Sequence, residues 1–397
     1  MRRERTILLL AAACASACIT VVVPPAEPAE PAPAAVAAAA RPAPQPAPEA
    51  ELVADALQAE QEPEALPAPS APVPSDSASR AALDAAHRWL LARQQPDGSW
   101  SEPSQPGHDV GVTGLAILSL SASEATRDAA AAGARWLIAQ QDADSGRIGP
   151  AATHEFMYGH GIATLALLRV LGGSPAPEVR APIQAAVNYV LRARNPYAAW
   201  RYDVPPVGDN DTSVTGWMLA ALAAARDAGF PIDEHALEGG VSWIEEVTDS
   251  ASGRIGYDSV GSLSSRTLAN QRYPREGGEA MTAIGLASRI RIDGREDQAE
   301  LLDRHARRLR RALPAWDPEG FGVDMYYWFH GTRAMKAMGG ADWDVWRAAT
   351  LAAVVPSQSS GGDLAGSWDP IGPWGYVGGR VYATALLASV LSECLEG

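Results

Sequence analysis

The stretch GARWLIAQQDADSGRIG, residues 133–149, joins an Ala-rich segment carrying one large aromatic side chain to a Gly-containing turn. A more apolar segment, GIATLALLRV, follows from Gly161. Neither segment shows the period-2 alternation of apolar and polar residues that is typical of strands, and the turn holds the helix-breaking residues. This stretch therefore predicts a helical hairpin, with Trp136 as a packing residue.

The same unit recurs six times from Ala81 onward, which predicts a repeat architecture. The first segments carry large apolar residues, namely Trp89, Trp136, Tyr189, Trp243 and Trp346, with Leu309 and Leu313 in the fifth unit. The second segments lie about 50 residues apart, with one longer interval. They begin at Thr113, Gly161, Thr215, Met281, Gly331 and Ala383.

The second segments are apolar on most faces, so each must be surrounded by other helices. A single hairpin cannot bury such a helix, but six hairpins closed into a ring can. We therefore predict an all-α (α/α)6 toroid over residues 80–397, with the second helices as the inner ring and the first helices as the outer ring.

The N-terminus has the pattern of an export signal over residues 1–18. Arg2, Arg3 and Arg5 precede an apolar stretch that is too short to span a bilayer. Cys14 and Cys18 follow small residues, which resembles a bacterial lipoprotein signal. We predict an exported protein of the cell envelope that is lipid-anchored through Cys18, with plain cleavage as the alternative.

Residues 19–79 are rich in Pro and Ala, and such a segment cannot bury enough apolar surface to fold. We predict a disordered linker there.

The formal net charge of −15 argues against a nucleic-acid partner, because binding to phosphates requires a basic surface. Cys394 stands alone near the C-terminus, so no disulfide framework is implied. No phosphate-binding loop is present, and no cofactor is predicted.

Gly133-x-x-Trp136-x-x-x-Gln140, followed by Gly146, resembles the QW repeat of squalene-hopene cyclases, as does QQPDGSW at residues 94–100. In that family the Gln and Trp tie the end of an outer helix to the start of the next inner helix. The resemblance implies the toroid of the squalene-cyclase and prenyltransferase repeat superfamily, in a bacterial exported branch of unassigned activity.

Polar residues precede the predicted inner helices. The starts of these helices should converge on one mouth of the ring, where free N–H groups and positive dipole ends favour acidic side chains. We predict catalytic roles for Asp211, His160, Glu279 and Tyr382. We predict ligand contacts from His108, Asp109, Tyr158, Asp209, Trp217, Tyr327, His330 and Arg380.

Several of these residues have structural alternatives. Asp109 and Asp211 stand just before predicted helices and suit N-caps. His160 suits a bond to a neighbouring turn. Glu279 and Arg380 suit an ion pair with each other or with other groups at the rim.

The resemblance also limits the chemistry. Cyclases of this superfamily donate a proton from the central Asp of a DxDD motif, and GDNDT at residues 208–212 places Asn210 at that position. No cysteine lies between Ala81 and Glu393, so the zinc site of protein prenyltransferases is absent, and no metal is predicted.

Two functions remain open. The first is binding without cyclase activity, in which the cavity or its rim holds an apolar or amphipathic small molecule or a protein partner. The second is a cyclase, isomerase or lyase acting on an isoprenoid or other lipid through the acids and bases at the rim.

Overall fold

The computed structural model describes residues 69, 71–102, 107–151, 155–171, 177–196, 199–276, 278–295, 298–317, 319 and 321–396. The predicted signal segment, including Cys14 and Cys18, lies outside the described residues, as does the predicted linker up to residue 68. The first helix begins at Asp76 rather than at the predicted domain boundary of residue 80. Its N-cap is Ser75, whose hydroxyl accepts a hydrogen bond from the backbone N–H of Ala78 at 3.2 Å.

Twelve α-helices make up nearly all of the regular structure in the described residues. In chain order they are α1 (Asp76–Arg93), α2 (Asp109–Leu120), α3 (Arg127–Ala139), α4 (Phe156–Leu171), α5 (Pro177–Arg192), α6 (Thr212–Asp227), α7 (Glu234–Glu246), α8 (Ala280–Ile292), α9 (Ala299–Arg310), α10 (Met325–Met338), α11 (Gly340–Val354) and α12 (Gly375–Leu395). Short 3₁₀ turns lie at Glu124–Thr126, Leu268–Asn270 and Gly362–Leu364. Two short strands, β1 (Thr248–Asp249) and β2 (Arg254–Ile255), pair antiparallel between α7 and α8.

The even-numbered helices form a closed inner ring. Each packs against the next in sequence, and α12 returns to pack against α2. The odd-numbered helices lie outside them. This confirms the predicted toroid of six hairpins. No helix among the described residues is long and apolar enough to cross a membrane.

Burial separates the two rings. The inner helix α2 buries every residue from Val112 to Leu120. The outer helix α9 is Arg-rich and buries only Leu302, His305, Ala306 and Leu309, the i, i+3, i+4 and i+7 positions of one face. Of the tryptophans predicted to pack the core, Trp346 is fully buried, whereas Trp136 is only half-buried.

Glutamine side chains fasten three of the turns that follow outer helices. The amide nitrogens of Gln94, Gln141 and Gln358 each donate two hydrogen bonds of 2.8–3.0 Å, one within their own turn and one to a neighbouring outer helix. The sequence resemblance assigned this role to Gln140, but the structure gives it to Gln141. Gln140 is instead an exposed C-cap of α3.

Tryptophans connect outer to inner helices in three turns, two of which also hold one of these glutamines. The indole N–H groups of Trp100, Trp200 and Trp368 donate to the last turns of α1, α5 and α11 at 2.8–2.9 Å. Their backbone N–H groups donate to threonine hydroxyls of α2, α6 and α12 at 2.9–3.4 Å. These bonds fix where α2, α6 and α12 start, and therefore which of their side chains face the lumen.

Candidate functional site

The lumen of the ring contains two chambers. The upper chamber, at the N-terminal ends of the inner helices, has a volume of about 360 Å³, and the lower chamber, at their C-terminal ends, about 600 Å³. Trp217 lines both. Its ring stacks on Phe329 at 5.7 Å and meets the edge of His330 at 5.1 Å, and its indole N–H donates to the Tyr326 hydroxyl at 3.1 Å. This aromatic layer is the partition between the chambers.

Phenol rings from several elements line the upper chamber. One of them, Tyr376 of α12, is exposed. The other five are Tyr158 of α4, Tyr202 of the loop before α6, Tyr257 of the loop after β2, Tyr326 of α10 and Tyr382 of α12. The Tyr202 and Tyr257 hydroxyls are hydrogen-bonded to each other, and the Tyr326 hydroxyl lies 2.9 Å from that of Ser213. Burial raises the pKa of all five phenols. They are therefore neutral hydrogen-bonding groups across the physiological range.

Asp211 is a buried carboxyl beside these phenols. Its Oδ1 accepts a hydrogen bond from the backbone N–H of Val214 at 2.8 Å and so caps α6, whereas its Oδ2 has no hydrogen-bond partner among the described residues. Burial raises the pKa of Asp211 to about 7, although the Val214 N–H and the Arg201 guanidinium partly oppose that rise. The side chain is 0% exposed and is not part of the chamber wall.

Arg201 links Asp211 to the chamber wall. Its Nε lies 4.0 Å from Asp211 Oδ2, and its Nη1 lies 3.9 Å from Asp209 Oδ2. Its guanidinium carbon lies 5.5 and 5.9 Å from the ring centres of Tyr202 and Tyr257, within cation–π range. A cationic, ring-stacked group therefore faces the upper chamber next to a carboxyl that burial keeps partly protonated.

Asp324 is a second buried carboxyl of the upper chamber, on α10. It caps α10 by accepting from the backbone N–H of Tyr327 at 3.0 Å, and its Oδ2 lies 3.7 Å from Arg266 Nη2. Burial raises the pKa of Asp324, and the charge of Arg266 opposes that rise. Both residues line the chamber.

The structure brings only part of the predicted site together. His108, Tyr158, Trp217 and Tyr382 line the upper chamber, while His330 and Trp217 line the lower one. Asp211 lies behind the wall. The predicted residues outside both chamber walls are Asp109, His160, Asp209, Glu279, Tyr327 and Arg380.

His160 is bonded on both ring nitrogens to backbone outside the lumen. Its Nδ1 accepts from the N–H of Ile148 at 3.1 Å, and its Nε2 donates to the carbonyl of Ala186 on α5 at 3.1 Å. Burial lowers the pKa of His160 to about 4. The structure therefore gives it the alternative role of a neutral structural histidine, and not the predicted catalytic one.

Glu279 is likewise directed away from the lumen. It binds Arg254 Nη2 at 2.8 Å, Arg308 Nη2 at 2.6 Å and the hydroxyl of Thr282 at 2.8 Å. Burial would raise the pKa of Glu279, but these bonds outweigh it and hold the pKa below its usual value. Of the two alternatives for Glu279 and Arg380, the pairing with each other is wrong, because Arg380 binds Asp369 and Ser367, and each residue pairs with other groups instead.

Tyr327 and Asn210 also face other parts of the fold. The ring of Tyr327 meets the edge of Trp346 of α11 at 5.5 Å. The Asn210 side-chain oxygen accepts from Asn195 Nδ2 at 2.8 Å and from the Ala199 N–H at 3.1 Å. Asn210 therefore stabilises its own loop and does not present a group to the chamber. Nowhere in the described part of the chain do three or more His, Cys, Asp or Glu residues come together as metal ligands.

No family model matches the chain, and no curated protein matches it in sequence. Solved structures match it in fold. The type II terpene cyclase MstE from Scytonema (apo form) aligns at 14% identity with a TM-score of 0.55, over 81% of this chain and 98% of that one. The chain has the α/α-toroid fold.

Other toroids match equally well. Unsaturated glucuronyl hydrolase from Streptococcus agalactiae aligns at 12% identity with a TM-score of 0.56, over 82% of this chain and 93% of that one. The glycosaminoglycan-degrading hydrolase of the same name from Bacillus sp. GL1 aligns at 14% identity with a TM-score of 0.55, over 81% of this chain and 96% of that one. The predicted terpenoid-cyclase-like toroid is confirmed as a fold. Because these neighbours carry out different reactions, the fold alone does not assign one.

Proposed function

We propose that this toroid binds one amphipathic small molecule in the upper chamber. The observation that carries the proposal is the chamber itself, whose volume of about 360 Å³ lies within the usual range of ligand pockets. Its wall is mostly aromatic and aliphatic, with Arg201, Arg266 and Asp324 as fixed polar groups. An apolar body would pack against the rings, and a polar end would meet the guanidinium groups.

An isoprenoid with a polar head is the ligand class that suits these groups. Phenol and indole faces favour contact with unsaturated chains, and neutral hydroxyls can bond to a hydroxyl or carbonyl on the ligand. One solved form of the MstE cyclase holds geranylgeranyl dihydroxybenzoate as its substrate, with a TM-score of 0.52 to this chain at 15% identity. That compound has the same division into an isoprenoid chain and a polar head.

Binding is favoured over turnover because Asp211 does not reach the chamber. Its side chain is fully buried, whereas its neighbours Tyr202 and Tyr257 form the wall. A carboxyl in that position holds Arg201 and the phenols in place electrostatically without touching the ligand.

A second candidate function is acid catalysis, and it is favoured by Oδ2 of Asp211, which has no hydrogen bond among the described residues and lies 4.0 Å from Arg201 Nε. A pKa of about 7 leaves a sizeable protonated fraction at neutral pH. If Tyr257 moved aside, that proton could pass to a ligand double bond. A C–H bond would form there, and the resulting Asp211 carboxylate would take a proton from a neighbouring carbon, which restores both the double bond and the acid.

The test uses the full chain, incubated with a panel of prenols and prenylated benzoates and followed by mass spectrometry. Val377 lines the upper chamber, so Val377→Trp should fill part of it and weaken ligand binding at least tenfold. Val73, which is 46% exposed ahead of α1, supplies the control Val73→Trp, which should bind like the unmodified protein.

Asp211→Asn separates the two candidates, because asparagine keeps the helix cap but removes the acid. An unchanged compound retained by both forms supports binding alone. A new product formed only by the unmodified chain establishes catalysis. Retention of no compound by the unmodified chain, or equal retention by Val377→Trp, would overturn the proposed function.

A further inference from the structure

The lower chamber is the larger of the two and is separated from the proposed binding site by the partition. Small residues of α6 line it, since Ala220 and Ala223 lie on one face of the helix and leave part of the lumen unfilled. Gly216, on the same helix, instead allows Ile284 of α8 to pack closely against it. Leu165 and Leu168 of α4 supply part of the opposing apolar wall. A chamber with such a wall suits an unbranched apolar chain.

Charged side chains surround the open end of this chamber. Arg291 pairs with Asp227, and Lys336 lies 2.8 Å from Glu393 Oε2 and 3.3 Å from Glu396 Oε2. These carboxylates therefore already form close ion pairs with Arg291 and Lys336.

Two guanidinium groups at this end, those of Arg169 and Arg333, lack a close ion pair of this kind among the described residues. Arg333 Nε reaches Glu393 only at 4.0 Å, and Glu393 interacts with Arg169 only at longer range. Burial lowers the pKa of Arg333; Glu393 opposes that shift, and the positive charge of Arg169 adds to it with a smaller influence. Both residues line the chamber, so an anion placed between them would relieve their repulsion.

Arg333 is also held in position. Its guanidinium carbon lies 4.1 Å from the ring centre of Phe329, and 29% of its side chain is exposed. The C-terminal ends of the inner helices carry partial negative charge that would repel an anion there, so the two guanidiniums are needed to bind one.

We propose that the lower chamber binds a free long-chain fatty acid. The chain would extend toward Trp217, and the carboxylate would lie between Arg169 and Arg333. This site is independent of the isoprenoid site proposed for the upper chamber, because the partition separates them.

The test is fluorescence titration of the full chain with cis-parinaric acid, a fluorescent fatty acid. Arg169→Met and Arg333→Met should each weaken binding about tenfold or more, because each removes a charge-assisted bond. Arg135, an exposed arginine of the outer helix α3, supplies the charge-matched control Arg135→Met, which should leave affinity unchanged. Methyl parinarate, which lacks the carboxylate, should bind weakly to every form.

Variants that fill the chambers locate the site. Ala223→Trp fills the lower chamber and should abolish binding, while Val377→Trp narrows the upper chamber and should leave it intact. Equal affinity for acid and methyl ester, or loss of binding in Val377→Trp alone, would overturn the proposal.

Arg169 is exposed, so its variant is expected to fold, and circular dichroism checks the folding of each variant.

Discussion

At the scale of single residues, Asp211 has two oxygens in different surroundings. Oδ1 caps α6, and Oδ2 is buried without a hydrogen bond among the described residues. The carboxyl has a pKa of about 7 in the folded protein and an ordinary value near 3.8 when exposed. Between these values the folded state binds more protons than the unfolded chain, so stability falls as pH rises through about 7.

Asp211→Asn should therefore stabilise the protein at high pH. Asparagine keeps the cap but carries no charge, so the variant avoids the cost of ionising a buried carboxyl, roughly 2–4 kcal/mol. Thermal unfolding at pH 5 and pH 8.5 checks this, with a rise in melting temperature expected mainly at pH 8.5. Asp209→Asn, an exposed neighbour, is the control. An equal change at both pH values would contradict the pKa assigned to Asp211.

The sequence predicted which helix ends carry polar residues, but not which way each residue faces. Adjacent helical positions differ by about 100°, so Tyr326 faces the chamber while Tyr327 faces the outer ring. His160 and Glu279 satisfy buried partners outside the lumen for the same reason. Arg201 and Arg266 were missed because they lie in irregular loops, and Arg266 meets Asp324 from a distant part of the sequence. No periodic pattern marks such positions.

At the scale of elements, two of the turns after outer helices share one arrangement and two others have half of it. After α1 and α11, a glutamine amide joins its own turn to a neighbouring outer helix, and a tryptophan indole caps the preceding helix. The turn after α3 has the glutamine bonds, and the turn after α5 has the tryptophan bond. The repeat pattern was visible in the sequence because the turn residues recur. The specific glutamine was predicted wrongly by one position, since Gln140 and Gln141 are adjacent and only the backbone path decides which one points inward.

Gln141→Met should destabilise the toroid by about 1–3 kcal/mol, because it removes two hydrogen bonds and leaves the carbonyls of Gly146 and Pro182 without this donor. Chemical denaturation of the full chain measures the effect. Gln140→Met is a matched control at an exposed neighbour and should change stability by less than about 0.5 kcal/mol. Equal effects of the two variants would show that the amide bonds of Gln141 contribute nothing specific.

At the scale of the whole molecule, contacts between the two ends of the described chain help to close the ring. Arg347 of α11 lies 2.8 Å from Asp76 of α1, and the Gln358 amide donates to the carbonyl of Ala82 at 2.8 Å. The six apolar helices required such closure, which is why the architecture could be predicted from sequence. The partition could not be predicted, because it depends on how far Trp217, Phe329 and His330 extend across the lumen.

Anchoring is the prediction that concerns the N-terminal segment. We propose that Cys18 is lipidated, so Cys18→Ser should abolish incorporation of a labelled fatty acid and move the protein from the membrane to the soluble fraction of a bacterial host. Cys14→Ser is the control and should leave both unchanged. Loss of label in Cys14→Ser alone would assign the modification to Cys14. Absence of label in the unmodified protein would favour plain cleavage.

Because the partition closes the lower chamber, it should limit the length of the ligand chain that the chamber can hold. Trp217 alone lines both chambers among the described residues, so Trp217→Leu should join them and let a longer chain pass through. Competition against cis-parinaric acid with saturated acids of increasing length measures the limit. The unmodified protein should lose affinity beyond the length that fills the lower chamber, and Trp217→Leu should not.

The loss of a buried aromatic ring will cost stability, about 3–5 kcal/mol if the space stays empty, so the comparison is made on folded protein at low temperature. Trp343→Leu, at a half-buried tryptophan of the outer helix α11, controls for a lost indole without opening the lumen. If folded Trp217→Leu kept the length limit of the unmodified protein, the two chambers would be separated by something other than this ring. Phe329 and His330, which pack against it, would then be the next residues to reduce in size.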